Sequence, residues 1–163
     1  MKDMTTSPST FFAALILAAA PAAAAPVPAE FQGDWVAASA ACTAPARVRI
    51  ETARVTLVNG ADMESFGGVE MASGFFPPDY NGIQQVVLTE VASGDQPVTV
   101  TFNYQEKKGA AQMELAAPYP VRAPNAAMQK LNARLTKLDL RKRFPLHDVP
   151  LKHCATAGRA GAR

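Results

Sequence analysis

The 163-residue chain contains two cysteines, Cys42 and Cys154, and no other feature constrains its fold as strongly. Two cysteines allow one intramolecular pairing. The pair is 112 positions apart and so encloses nearly everything able to fold. In the chain-entropy account, closing a loop of that size stabilises by roughly 4.7 kcal/mol, less any strain. The sequence therefore predicts a Cys42–Cys154 staple. The functional alternative is a reactive thiol, with His153 beside Cys154. Neighbours on a strand point to opposite faces, so adjacency alone makes no nucleophile–base pair.

A disulfide needs an oxidising compartment, and the N-terminus supplies the route. Lys2 gives a positive start, Phe11 to Ala20 form a short apolar core, and a proline-interrupted alanine tract follows with small residues at Ala22 and Ala24. This is the pattern of an export signal. The apolar run falls short of the ~20 residues that span a bilayer, and Pro21, Pro26 and Pro28 would interrupt a buried helix. The expectation is a signal peptide over 1–24, a single β-rich domain over 25–154 and a disordered tail over 155–163. Such a chain is periplasmic or secreted and does not span the membrane.

The formal net charge of +2 hides an uneven layout. Residues 26–121 carry 5 Lys/Arg against 11 Asp/Glu, whereas residues 122–163 carry 10 against 2. Two readings follow: the basic part packs over an acidic sheet face, or it meets an anionic partner such as outer-membrane lipid, a polysaccharide or an acidic protein. Nucleic acid is excluded for an exported chain with no recognisable binding motif.

After Cys42 the apolar positions alternate. Val48 and Ile50 alternate with Arg47, Arg49 and Glu51, then Val55 and Leu57 with Arg54 and Thr56, which predicts two half-buried strands joined at Thr52-Ala53. Asn59-Gly60 ends the second strand, since these residue types tolerate positive φ. Phe66 to Met71 reads as a third strand, with Gly67 and Gly68 marking a bulge or a close backbone approach. Ile83 to Val91 reads as a central strand. Val98, Val100, Phe102 and Tyr104 share a face, and Ala111, Met113 and Leu115 return after a turn at Glu106 to Gly109. With no long crossover helices, six to eight strands imply a small antiparallel barrel or sandwich.

Two stretches depart from this pattern. Gly74-Phe75-Phe76-Pro77-Pro78-Asp79-Tyr80 cannot sit inside a ladder, because successive prolines donate no hydrogen bonds. Its Phe75, Phe76 and Tyr80 either form a ligand or partner loop or fold back to close one end of the core. Past Pro118, Pro120 and Pro124 the period becomes helical. Asn125 is the predicted N-cap, and Met128, Leu131, Leu135 and Leu138 form a core-facing stripe. Lys130, Arg134, Lys137, Arg141, Lys142 and Arg143 lie on this helix or at its end and are the candidate contacts to an anionic surface. Phe144-Pro145 stops the helix, and Leu146 to His153 is a last extended segment.

The chemical inventory is thin. His147 and His153 fit no compact metal motif, and a cysteine held in a disulfide cannot close a zinc site. A Ser-His-Asp set can be written from Ser65, His147 and Asp148, yet no nucleophile elbow surrounds any serine. No Gly-rich phosphate loop follows a strand. The expectation is a protein without catalysis, metal or cofactor.

Phe31-Gln32-Gly33-Asp34-Trp35 resembles the Gly-x-Trp opening of lipocalin-like barrels. The resemblance covers the first strand only. It implies that Trp35 plugs one end of a barrel and that a late basic side chain, Arg141 or Arg143, covers its ring. Leu57-Val58-Asn59-Gly60-Ala61-Asp62 and Phe144-Pro145-Leu146-His147 through Lys152-His153-Cys154 make the chain similar to a group of small exported proteobacterial proteins of unassigned activity. That resemblance implies export and one β domain and carries over no functional residue. Two functions stay open. One is an envelope binding protein holding a small apolar ligand or a protein partner, an inhibitor of a hydrolase among the possibilities. The other is a structural or stress-related component contacting anionic surfaces.

Overall fold

The structure is a computed structural model and describes residues 26–74, 84–103, 109–119 and 125–154. Among them nine strands form one antiparallel sheet: β1 (Gly33–Ala37), β2 (Ala46–Glu51), β3 (Arg54–Asn59), β4 (Asp62–Phe66), β5 (Glu70–Gly74), β6 (Gln84–Leu88), β7 (Val98–Phe102), β8 (Ala110–Leu115) and β9 (Pro150–Cys154). Their order is β4-β3-β2-β1-β9-β8-β7-β6-β5, so the first and last strands meet in mid-sheet. Two helices, α1 (Ala126–Leu138) and α2 (Leu140–Arg143), are inserted between β8 and β9. The antiparallel architecture and the single helical region agree with the sequence reading.

The strand count exceeds the expected six to eight for a physical reason. Followed round the sheet, the antiparallel pairings leave the two marginal strands, β4 and β5, running in the same direction. Only residues 67–69 separate them. They are two lengths of one bent strand, paired first with β3 and then with β6. The pairing continues round the bend, where Glu90 N donates to Gly67 O at 3.0 Å and Val91 N to Gly68 O at 3.4 Å. Gly68 has φ +56°, and a Cβ there would stand 3.3 Å from Glu90 Cα. The single strand expected over 66–71 is therefore corrected to two strands with a corner between them. The close backbone approach expected at the glycines is what makes the corner. A shared bent strand draws the margins together and curls the sheet into a half-barrel.

Period-two alternation fixes what faces inward. Val48 and Ile50 on β2, Val55 and Leu57 on β3, Val98, Val100 and Phe102 on β7, and Ala111, Met113 and Leu115 on β8 are all buried in one core. β6, expected to be central, is next to the margin. Both ends of the curl are stoppered. At one end Val27 N donates to Thr52 O (3.1 Å), Phe31 stacks on Phe102 with centroids 4.5 Å apart, and Trp35 is 2 % exposed. At the other, Leu140, Phe144 and Leu146 are buried in the same core.

The helical insertion starts as its sequence predicts, with the Asn125 side chain accepting from Met128 N at 2.9 Å. It breaks at Asp139, whose φ of 44° is left-handed and whose N–H closes on Leu135 O. The break turns α2 inward, so that Leu140 and Phe144 join the core against which α1 packs Leu138, while Leu135 of α1 is buried outside that cluster.

The staple forms. Cys42 and Cys154 are disulfide-bonded, with Cα atoms 5.6 Å apart. Cys154 lies opposite Asp34 in the β1–β9 ladder. The bond therefore holds the β1–β2 loop against the outer face of the sheet, where Val36 and Val58 are also buried. A disulfide of this kind is compatible with an oxidising compartment.

Candidate functional site

The lid end, where the helical insertion crosses the mouth of the sheet, gathers most of the charged contacts. Arg134 on α1 makes a bidentate pair with Glu90 (2.6 and 2.8 Å) and a further bond to Asp95 (2.6 Å). Arg143 on α2 binds Asp62 through two nitrogens (3.0 and 2.6 Å) and Glu64 at 2.9 Å, and it also donates to Leu138 O. Asn59 Nδ2 donates to Arg143 O at 2.8 Å. Asp62 and Glu64 belong to marginal strand β4, while Glu90 follows β6, the partner of marginal strand β5. The insertion thus clasps the sheet on both sides of its opening. Fork-shaped guanidinium groups suit this task because each engages two carboxylates in a fixed plane. The same bonds hold both guanidinium groups further above the usual arginine range and draw the Asp62 carboxyl below the ordinary carboxylate value.

This geometry divides the six cations expected at an anionic surface. Arg134 and Arg143 face carboxylates of the chain itself, so part of the basic segment does pack against the acidic sheet. Arg141 donates Nε to Leu115 O at 2.8 Å, although its residue is largely exposed. Lys130, Lys137 and Lys142 are exposed. The charge asymmetry along the chain was the one sequence signal for the clasp. It could not name Asp62, Glu64, Glu90 and Asp95, because their partners lie 39 to 81 residues away.

At the opposite end Trp35 is buried, and its ring contacts are Phe102 and His153, not an arginine. Its Nε1 donates to Phe31 O at 3.0 Å, and its ring meets Phe102 at 5.0 Å and His153 at 4.9 Å. The expected arginine cover is corrected. Arg143 lies over Phe144, 4.9 Å from its centroid, and Arg141 is turned to Leu115. β9 is paired with β1, which puts His153 directly across from Trp35, while both arginines sit at the lid end.

The histidines have defined partners. His147 Nδ1 accepts from Leu115 N at 3.1 Å and its Nε2 lies 3.1 Å from Asp148 Oδ2, so both ring nitrogens are engaged. His153 Nε2 donates to Gln32 O at 2.9 Å. Ser65 Oγ pairs with Thr56 Oγ1 at 3.0 Å on the sheet. These contacts do not join Ser65 to His147 and Asp148. On the outer face Asp34 bridges Arg49 (2.8 and 3.1 Å) and Arg47 (3.6 Å), and the Arg49 hydrogen bonds hold its carboxyl below the ordinary value.

Phe75, Phe76 and Tyr80 lie outside the described residues, as do residues 1–24, expected as a signal peptide, and 155–163, expected as a tail. Among the described residues no group of three or more His, Cys, Asp or Glu is placed to hold a metal ion. Nor is any helix among them long and apolar enough to cross a membrane. No protein-family model, curated protein or solved structure matches the chain.

Proposed function

We propose that this chain is an exported binding protein of the cell envelope that acts without catalysis and engages a protein partner on its outside. One observation carries the choice between an enclosed ligand and an external partner. The interior of the curl is occupied by the chain's own side chains. Trp35, Phe66, Phe102 and Phe144 are each at most 2 % exposed, and both ends are stoppered. Even a small closed barrel has room only for side chains or for one small ligand, and here side chains fill the curl. The sequence between β5 and β6 holds Phe75, Phe76 and Tyr80, which makes it the first segment to alter. A hydrolase is one class of partner that such a small stapled domain could inhibit.

The test is native mass spectrometry and cross-linking on protein recovered undenatured from the envelope of its host. The expected result is a disulfide-bonded chain without a small ligand, cross-linked to a protein. Replacing Phe75, Phe76 and Tyr80 together by serine should abolish that cross-link. A bound mass of a few hundred daltons that survives high salt would overturn the reading.

The exposure of Lys130, Lys137, Arg141 and Lys142 favours a second reading, a structural or stress-related component that contacts an anionic surface. Ionic strength separates the two, since contacts made by exposed charges fade as the Debye length shrinks.

A further inference from the structure

Helix α1 contains no acidic residue. Its outward positions Ala126, Lys130, Ala133 and Lys137 are spaced by four, three and four, which places them in one row, and all four are exposed. Seven residues at the helical rise put the two lysines about 10 Å apart along the axis. After the break at Asp139, α2 adds exposed Arg141, whose Nε also donates to Leu115 O, and exposed Lys142. Asp139, at the junction, is the one carboxylate among these residues, against four cations. Solvated helix faces ordinarily interleave both signs. Four carboxylates of the sheet side are already engaged with the insertion: Glu90 and Asp95 with Arg134, Asp62 and Glu64 with Arg143. The clasp thus does two things at once. It engages two arginines and four carboxylates with one another, and it leaves a set of solvent-facing cations interspersed with alanines.

We infer that this set, Lys130, Lys137, Arg141 and Lys142, is a docking face for an anionic lipid surface. This rests on the second reading above and gives it a partner. Charge complementarity selects an anionic occupant. The chemistry of the set selects a lipid surface over a single shaped ligand. Lysine ammonium groups are point charges without a fork to match one phosphate, alanine offers no hydrogen bonds, and the convex helix face has no groove to enclose a ligand. A sheet of mobile headgroups needs none of these. Each cation close to such a surface adds a modest electrostatic attraction, and several together give reversible binding.

The experiment is co-sedimentation of the oxidised chain with phosphatidylcholine vesicles, with and without about one-third phosphatidylglycerol, in low and high salt. Wild type should bind the anionic vesicles in low salt, release them in high salt and ignore the neutral ones. A Lys130→Gln, Lys137→Gln, Lys142→Gln variant should partition roughly 100-fold more weakly, from about 1 kcal/mol per charge, with its thermal unfolding unchanged. Arg54→Gln, at an exposed cation on β3, should bind as wild type. Equal binding by the triple variant, or equal binding to neutral vesicles, overturns the assignment. Binding to inorganic polyphosphate with none to vesicles overturns it in favour of a soluble polyanion. Cell fractionation separates the two failures. Absence of the chain from the envelope sinks the underlying reading, whereas envelope recovery unchanged in the triple variant sinks the lipid face alone.

Discussion

Gly33 has φ +125°, and a Cβ added there would meet His153 Nε2 at 2.6 Å. That nitrogen is the one bonded to Gln32 O. Gly33→Ala should therefore cost about 1–3 kcal/mol, since it combines backbone strain with displacement of the His153 ring. A denaturant midpoint equal to wild type would refute this. Trp35→Phe removes the Nε1 bond to Phe31 O and should cost about 1 kcal/mol for that bond, plus a packing loss. The acid response is set by carboxylates whose arginine partners lower their pKa, Asp34 by Arg49 and Asp62 by Arg143. A carboxyl with a lowered folded-state pKa contributes stability that is complete above its unfolded value, about 3.9, and is lost as pH falls through the folded value. Stability should hold down to about pH 4 and decline below it. A double Asp34→Asn, Asp62→Asn variant should be less stable at neutral pH and show a shallower acid decline; parallel curves would count against the assignment. The sequence marked Gly33 and Trp35 as a pair, through the Gly-x-Trp pattern. It could not mark His153 as their neighbour, because that contact depends on a strand 120 positions later.

At the scale of elements, the clasp makes a prediction of its own. Arg134→Met should loosen α1, which packs on the sheet core through Leu138, while Arg143→Met should loosen β4 and α2 together. Each arginine engages two carboxylates but is partly solvated, so about 1–2 kcal/mol per substitution is expected after screening. Amide exchange should show the two effects in different places: faster on α1 for Arg134→Met, and faster on Asp62–Phe66 for Arg143→Met. Uniform acceleration in both would mean that the insertion is not a clasp. The helix itself was legible from local signals, namely the Asn125 cap and the apolar spacing of three, four and three from Met128 to Leu138. The break at Asp139 was not. Phe144-Pro145 predicts a stop, but a left-handed residue five positions earlier pays off only because it turns Leu140 and Phe144 into a core made by distant strands.

For the whole molecule, the staple spans 112 positions, and reducing it should lower stability by up to roughly 4.7 kcal/mol in the chain-entropy account. For a domain of this size that is on the order of 10–20 °C in Tm. Thiol blocking should find no free thiol before reduction and two after it. A reduced protein melting at the oxidised temperature would show that the bond contributes nothing to the fold. By itself the sequence determined what local rules can write: alternation that makes strands, turn residues that end them, a cap that starts the helix, and one possible cysteine pairing. The tertiary structure decided which elements meet. That β4 and β5 are one bent strand follows from the pairing directions of the whole sheet. The partners of Arg134 and Arg143 follow from where the lid crosses it. Lys130 and Lys137 on α1 face solvent, whereas Arg134 on the same helix is taken up by Glu90 and Asp95. Local periodicity reports which face of an element is apolar. Register and curvature arise only when every strand is paired, and so they are fixed by contacts between residues far apart in the chain.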